Sequence, residues 1–200
     1  SEMCIRDRSY RKLFEVYIRQ GVNHMQLKTN VLYSRQMLDE RIGALAEQIE
    51  ASYPKDDKKI ICLCVLRGAV LFFADLMKKM NDERIVFDFI TLSSYESTST
   101  TGKIKLVQDL RSDVKGAHVL IVEDIIDSGY TLKYLKEYFA DKQAADVKVV
   151  TLLDKPMARK VDIQPDFTAF TLEKPAFIVG YGLDLDQKYR NIDCIMEVVE

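Results

Sequence analysis

The chain has 200 residues, a length that suits one domain burying roughly 70% of the surface its unfolded form exposes. A content of 48% hydrophobic and 30% charged residues is ordinary for a globular protein, and a net charge of −2 argues against nucleic acid as a partner. With no apolar run of spanning length and no secretory leader, membrane association is not expected, and the chain is expected to be cytoplasmic with free thiols.

The opening Ser1–Arg8 stretch has no helical or strand period and reads as a lead outside the fold. Arg11 to Ile18 then places Leu13, Val16 and Tyr17 on one helical side, a short peripheral helix that Gly21 and Asn23 stop. Ser34 can cap a helix in which Met37, Leu38, Ile42, Leu45, Ala46 and Ile49 recur at helical spacing, and the Tyr53-Pro54 pair ends it. From there strands and helices alternate: Ile60–Leu66 strand, Ala69–Met80 helix, Arg84–Leu92 strand, His118–Val122 strand, Tyr130–Phe139 helix and Val147–Leu153 strand. Cys62 and Cys64 fall in the first of these strands and read as core residues on opposite faces, unsuited to sharing a zinc. The polar run between Leu92 and Leu106, with its serines, threonines and Gly102, reads as a loop suited to acting as a lid.

This order predicts an α/β fold, a central parallel sheet with right-handed crossovers flanked by helices. The tail differs: Phe167–Leu172, Phe177–Val179 and Ile195–Val199 are β-like pieces with no helix between them. They suggest a small appended hood lobe near the ligand edge of the sheet, within a single domain spanning residues 1–200, with the hood drawn from the N-terminal segment and about 160–200.

The run VLIVEDIIDSGYT, from Val119 to Thr131, is the most informative. Four successive aliphatics suit a parallel strand buried on both faces, hence a central one. Ligands of open parallel sheets gather beyond the carboxyl ends of the strands, where Glu123, Asp124 and Asp127 would lie. Gly129 permits a turn whose backbone N–H groups face inward at a helix mouth, a cradle for phosphate to which the Ser128 and Thr131 hydroxyls can add. Three carboxylates beside a bare phosphate would repel it. The arrangement makes sense when the phosphate belongs to a sugar whose hydroxyls, with a divalent metal, meet Glu123 and Asp124. The simpler reading is an acidic turn in which Asp127 or Ser128 caps a helix.

That run, EDIIDSGYT after an aliphatic strand, resembles the phosphoribosyl-pyrophosphate motif of the type I phosphoribosyltransferases. CVLRG, SSY, LLDKP, FIVGYGLD and YR, spread in order from about Leu63 to Arg190, resemble further segments of the hypoxanthine-guanine branch of that family. The resemblance implies purine salvage: Mg²⁺-dependent transfer of a 5-phosphoribosyl group from phosphoribosyl pyrophosphate to hypoxanthine or guanine, giving IMP or GMP and pyrophosphate. It implies assembly as a homodimer or homotetramer and no partner beyond small-molecule substrates.

Carried over position by position, the resemblance implies that Glu123 and Asp124 grip the ribose hydroxyls and the metal's water shell. Negative charge there would favour an oxocarbenium-like transition state. Asp127 would exchange the proton at the purine imidazole edge as a general acid-base, and would help Ser128, Gly129, Tyr130 and Thr131 bind the 5′-phosphate. Tyr130 stands where the family loop carries a small or polar residue. Arg67 and Gly68, with Arg190, would bind pyrophosphate, and the family's non-proline cis peptide would here join Leu66 to Arg67. Lys155 would hydrogen-bond the 6-oxo group, Phe177 would stack on the base, and the Ile178 backbone would read its edge. Asp184, in competition with Asp186, would lie near a second metal and the purine 2-position, so that Glu123, Asp124 and Asp184 form the metal set. Ser94 and Tyr95 would begin the lid. Alternatives are a phosphoribosyltransferase for another base, such as xanthine, adenine or a pyrimidine, and a regulator of the same fold that senses nucleotides without catalysis. The missing Gly-x-Gly-x-x-Gly argues against a dehydrogenase.

Overall fold

The computed structural model describes residues 27–95 and 103–199; the helix expected over Arg11–Ile18 lies outside them. The elements, in chain order, are β1 (Thr29–Tyr33), α1 (Arg35–Ser52), β2 (Ile60–Leu66), α2 (Val70–Lys79), β3 (Ile85–Tyr95), β4 (Lys103–Gln108), β5 (His118–Ile126), α3 (Tyr130–Asp141), β6 (Asp146–Asp154), β7 (Phe167–Thr171), β8 (Ile178–Val179) and β9 (Ile195–Val198).

Six strands form the main sheet in the order β4-β3-β2-β5-β6-β7. All neighbours are parallel except β3 and β4. Continuous apolar runs explain the centre: every residue of β5 is buried, as are the first six of β2. Residues alternating along these strands feed two apolar layers. One holds Cys62, Cys64, Leu120 and Val122 against α1 and α2. The other holds Ile61, Leu63, Val119 and Ile121 against Leu132, Leu135 and Phe139 of α3. Cys62 and Cys64 therefore share a face rather than taking opposite ones, because a strand's period of two returns residues two apart to the same side. Both thiols are free, and burial pushes each up to about 12, so they are inert packing groups.

The helix caps follow local chemistry. Ser34 accepts the Met37 N–H at 3.3 Å to open α1, and Tyr53, with Pro54 behind it, closes the helix.

The structure departs from expectation in three further places. Phe167–Thr171 joins the main sheet parallel to β6 instead of the hood, where the Arg41 Nε and Nη2 groups of α1 donate to its Ala169 and Thr168 carbonyls. Much of the polar run read as a loop is strand: β3 continues to Tyr95 and pairs antiparallel with β4 as far as Tyr95↔Lys103. An edge position tolerates polar side chains that a central strand would not. Finally, Thr29–Tyr33, which carries no clear alternation, is a strand because β9 supplies its hydrogen bonds from the far end of the chain.

The hood is a three-stranded sheet in the order β1-β9-β8. It shares the first apolar layer through Ile178, Tyr181, Leu183 and Ile195, and Tyr33 stacks on Phe170 at 4.0 Å between centroids. Packing therefore ties the hood to the carboxyl-end side of the main sheet.

Candidate functional site

Chain direction changes between β2 and β5. From β2 the chain crosses through α2 to β3 on one side, and from β5 it crosses through α3 to β6 on the other. The crevice beyond the carboxyl ends of β2 and β5 is thus the topological switch point of the sheet, where open α/β proteins bind ligands. Its walls are the Arg67-Gly68 turn after β2, the acidic end of β5 and the turn that follows it, and the hood segment 180–190.

Close backbone contact assembles these walls. The Leu66–Arg67 peptide is cis. Gly68 lies so near the Asp124 carboxylate that any Cβ there would collide with it, and Gly182, at φ +98°, sits against the Gly68 carbonyl with equally little room. Residues 68, 124 and 182 are in this way stacked into one cleft.

At the end of β5, Glu123 and Asp124 are 3% and 2% exposed. Asp124 Oδ1 accepts the Ile125 N–H at 2.9 Å, while its buried Oδ2 has no hydrogen-bond partner among the described residues. Burial pushes both carboxyls up, and for Glu123 the neighbouring Asp124 charge adds to the effect. Such a pair is built to receive positive charge or hydroxyl donors.

Asp127 is half-buried at the start of the turn, and Ser128 is buried behind it. The N-cap position of α3 is taken by Gly129, at φ +85°, rather than by Asp127 or Ser128, and a glycine brings no side-chain cap of its own. A Cβ on Gly129 would press on Ile163, Arg159 and Val161 as well as strain the backbone. Tyr130 and Thr131, both partly exposed, open the first turn, so the five residues expected to hold phosphate form one cradle at a helix N-terminus.

Arg159 braces this turn from behind. Its Nη1 donates to the Asp127 carbonyl at 2.7 Å, its Nη2 makes a short ion pair with buried Asp154, and the Lys160 N–H donates to the Ser128 carbonyl at 3.0 Å. Nothing in the sequence pointed to Arg159, which looked like one more cation in a loop.

Lys155 connects the end of β5 to the hood. Its backbone N–H donates to the Ile126 carbonyl at 3.0 Å and its Nζ donates to the Ala176 carbonyl at 3.2 Å, next to Phe177. The Phe177 carbonyl in turn accepts the Val198 N–H at 2.8 Å, and Ile178 follows, buried in β8. The three residues expected to contact a base are therefore neighbours on one wall.

On the opposite wall, geometry separates the two competing acids. Asp184 is buried, its Oδ1 paired with Arg190 Nη2 at 2.7 Å and its Oδ2 accepting the Gln187 N–H at 2.8 Å, whereas Asp186 is exposed. Arg190 Nη1 also donates to the Gly182 carbonyl at 2.7 Å. Gln187, missed in the sequence, accepts from both Arg67 and Arg190. Ser94 and Tyr95 lie at the end of β3, and the lid segment 96–102 expected to follow them is outside the described residues.

An ion would find only oxygen donors here. Among the described residues no three acidic, histidine or cysteine side chains converge into a cage. That fits Mg²⁺, which takes one or two carboxylates and completes its shell with water and substrate phosphates, and the unpartnered Asp124 Oδ2 offers one such ligand. No helix among the described residues is long and apolar enough to cross a membrane.

Comparison with known proteins agrees with this geometry. The family model described as "Phosphoribosyl transferase domain" matches residues 30–186, from β1 through the Asp184 turn. A hypoxanthine-guanine phosphoribosyltransferase of Bacillus subtilis is 43% identical over 166 residues, covering 82% of this chain and 90% of that protein. Its counterpart in Lactococcus lactis is 45% identical over 163 residues, covering 81% and 86%. Among solved structures, a hypoxanthine-guanine phosphoribosyltransferase from Bacillus anthracis superposes with a TM-score of 0.81 at 42% identity, covering 87% of this chain and all (100%) of that one. A match that runs across both lobes, at this identity and over the crevice just described, has one meaning: the chain belongs to the phosphoribosyltransferase family.

Proposed function

We propose that this protein acts in purine salvage, transferring the 5-phosphoribosyl group of phosphoribosyl pyrophosphate to hypoxanthine or guanine and releasing IMP or GMP with pyrophosphate. The observation that carries the reading is the convergence, at one switch point, of a helix-mouth cradle, two buried acids and a pair of arginines. A phosphorylated sugar bearing a diphosphate has matching parts in the same order.

In this reading the 5′-phosphate docks on the turn Asp127–Thr131, where the N-terminal amides of α3 donate to it. Glu123 and Asp124 hold the ribose hydroxyls. As the bond from the anomeric carbon to pyrophosphate lengthens, positive charge grows on the ring, and a preorganised pair of acids whose ionisation burial disfavours gains most from that charge. Arg67, Gly68 and Arg190 receive the departing pyrophosphate. The purine nitrogen forms the new bond to the anomeric carbon, and Asp127 accepts the proton it gives up, an effect typically worth a hundred- to ten-thousandfold in rate.

On the base side, Lys155 offers a cation to a 6-oxo group and would leave a 6-amino group poorly paired, which favours oxopurines. Phe177 supplies a stacking face and the Ile178 backbone meets the base edge. Mg²⁺ would be the cofactor in this reading: Asp124 and Glu123 would offer it carboxylate oxygens, Asp184 would meet a second ion through its water shell, and the positive charge so supplied would offset that of the diphosphate. Ser94 and Tyr95 begin a lid that keeps water from the oxocarbenium-like species. We place the enzyme in the cytoplasm as a homodimer or homotetramer whose protomer is a single domain with a hood.

The test is a Mg²⁺-dependent assay with phosphoribosyl pyrophosphate and each of hypoxanthine, guanine, xanthine, adenine and uracil. Turnover of hypoxanthine or guanine is expected, and turnover of adenine with neither of these would reject the Lys155 assignment. Xanthine as the sole substrate would move the protein to a neighbouring specificity with the same sugar-phosphate chemistry.

A further inference from the structure

We infer that Gln187 is a placeholder for a pyrophosphate oxygen, a neutral side chain that keeps Arg67 and Arg190 converged and yields its place to the diphosphate. This rests on the purine phosphoribosyltransferase reading and adds a specificity-determining residue to it.

One atom carries the argument. Gln187 Oε1 accepts from Arg67 Nη1 at 3.3 Å and from Arg190 Nη2 at 3.2 Å, so two guanidiniums from separate segments of the chain point at the same oxygen. Two cations aimed at one spot repel each other unless an acceptor lies between them, and the only carboxylate paired with either among the described residues is Asp184, on Arg190. A site with that excess positive charge and that convergence suits a phosphate oxygen, and Gln187 occupies the position.

The backbone holds it there. Gln187 stands at φ +64° in an exposed turn, with Asp186 at +51° and Tyr189 at +70° beside it, and its N–H donates to Asp184 Oδ2 at 2.8 Å. A left-handed run of non-glycine residues is uncommon and persists where surrounding contacts impose it. The turn thus aims an amide, not a charge, at the arginines.

The choice of an amide matters. Long hydrogen bonds from guanidinium to a neutral amide are weaker than charge-assisted ones to phosphate, so a diphosphate displaces the side chain readily. A carboxylate at this position would form ion pairs with both arginines and compete with the substrate.

The experiment measures pyrophosphate binding by calorimetry, together with KM for phosphoribosyl pyrophosphate and for hypoxanthine, in the wild type, Gln187→Glu and Gln187→Met. Gln187→Glu should weaken pyrophosphate binding and raise KM for phosphoribosyl pyrophosphate by about tenfold, the effect of two competing ion pairs at a partly exposed site. Gln187→Met, which fills the same space without an acceptor, should change pyrophosphate binding by no more than about twofold, because the hydrogen bonds that no longer have to be broken offset the convergence that is no longer held. KM for hypoxanthine should move in neither variant. Glu binding as tightly as Gln, or Met weakening binding as much as Glu, would overturn the placeholder role, as would an equal shift in KM for hypoxanthine. If the wild type turned over no oxopurine, the purine reading would fail, while calorimetry would still decide the placeholder question.

Discussion

The two ends of the central strands are chemical opposites. At the amino ends of β2 and β5, the partly buried acids have cations: Arg84 pairs with Asp82 at 2.6 Å and with Asp56 at 3.0 Å, and His118 Nε2 lies 3.1 Å from Asp56. Arg84 beside it draws Asp82 down to about 2. At the carboxyl ends, Glu123 and Asp124 are more deeply buried and pushed the other way. A protein tolerates unpaired buried acids where a ligand will later pair them, and the amino end, with its charges already matched, has only the fold to hold.

The largest effect on this contrast should come from Asp127→Asn, which keeps the shape of the turn but removes the proton acceptor. Turnover of hypoxanthine should fall by roughly a hundred- to ten-thousandfold with an unchanged melting temperature. Arg159→Met attacks a matched pair at the carboxyl end. It strands the Asp154 carboxylate, 6% exposed, and denaturant titration should show a loss of about 3–5 kcal/mol, as expected for breaking a buried ion pair. Gly68→Ala pushes a methyl group into the Asp124 carboxylate, and steady-state kinetics should record a loss of about a hundredfold from misplacing the acids.

Smaller, and opposite in sign at the two ends, are the pH effects on stability. Asp82 sits below its ordinary 3.8, so its contribution is present above that value and is lost as pH falls toward about 2. The melting-temperature gap between wild type and Arg84→Met should therefore close on acidification through that window. Asp124 sits above its ordinary value, so the ligand-free protein should lose stability as pH rises past 3.8. Asp124→Asn should flatten that loss and raise the melting temperature at neutral pH by a few degrees, while abolishing activity. A fall in melting temperature for Asp124→Asn would mean that the acid is a structural group after all.

Period and punctuation made much of the architecture legible. The aliphatic runs of β2, β5 and β6 read as strands and that of β5 as a central parallel one, Ser34 and Tyr53-Pro54 marked both ends of α1, and the acidic run after Val122 marked the ligand edge. Elements whose identity depends on a distant partner were harder to read. β1 is a strand because β9 lies beside it, β4 because β3 does, and β7 chose β6 over the hood although its composition suits either.

The site divides in the same way. Groups carried on one continuous run, Glu123 to Thr131, were readable from chain chemistry alone, because strand direction and helix start fix where adjacent residues point. Folding alone could reveal that Asp184, not Asp186, is the buried acid, that Arg159 braces the phosphate turn, and that Gln187 lies between Arg67 and Arg190. These relations join segments as far apart as residues 67 and 187, and no local pattern encodes a contact whose two halves are independent until the sheet brings them together.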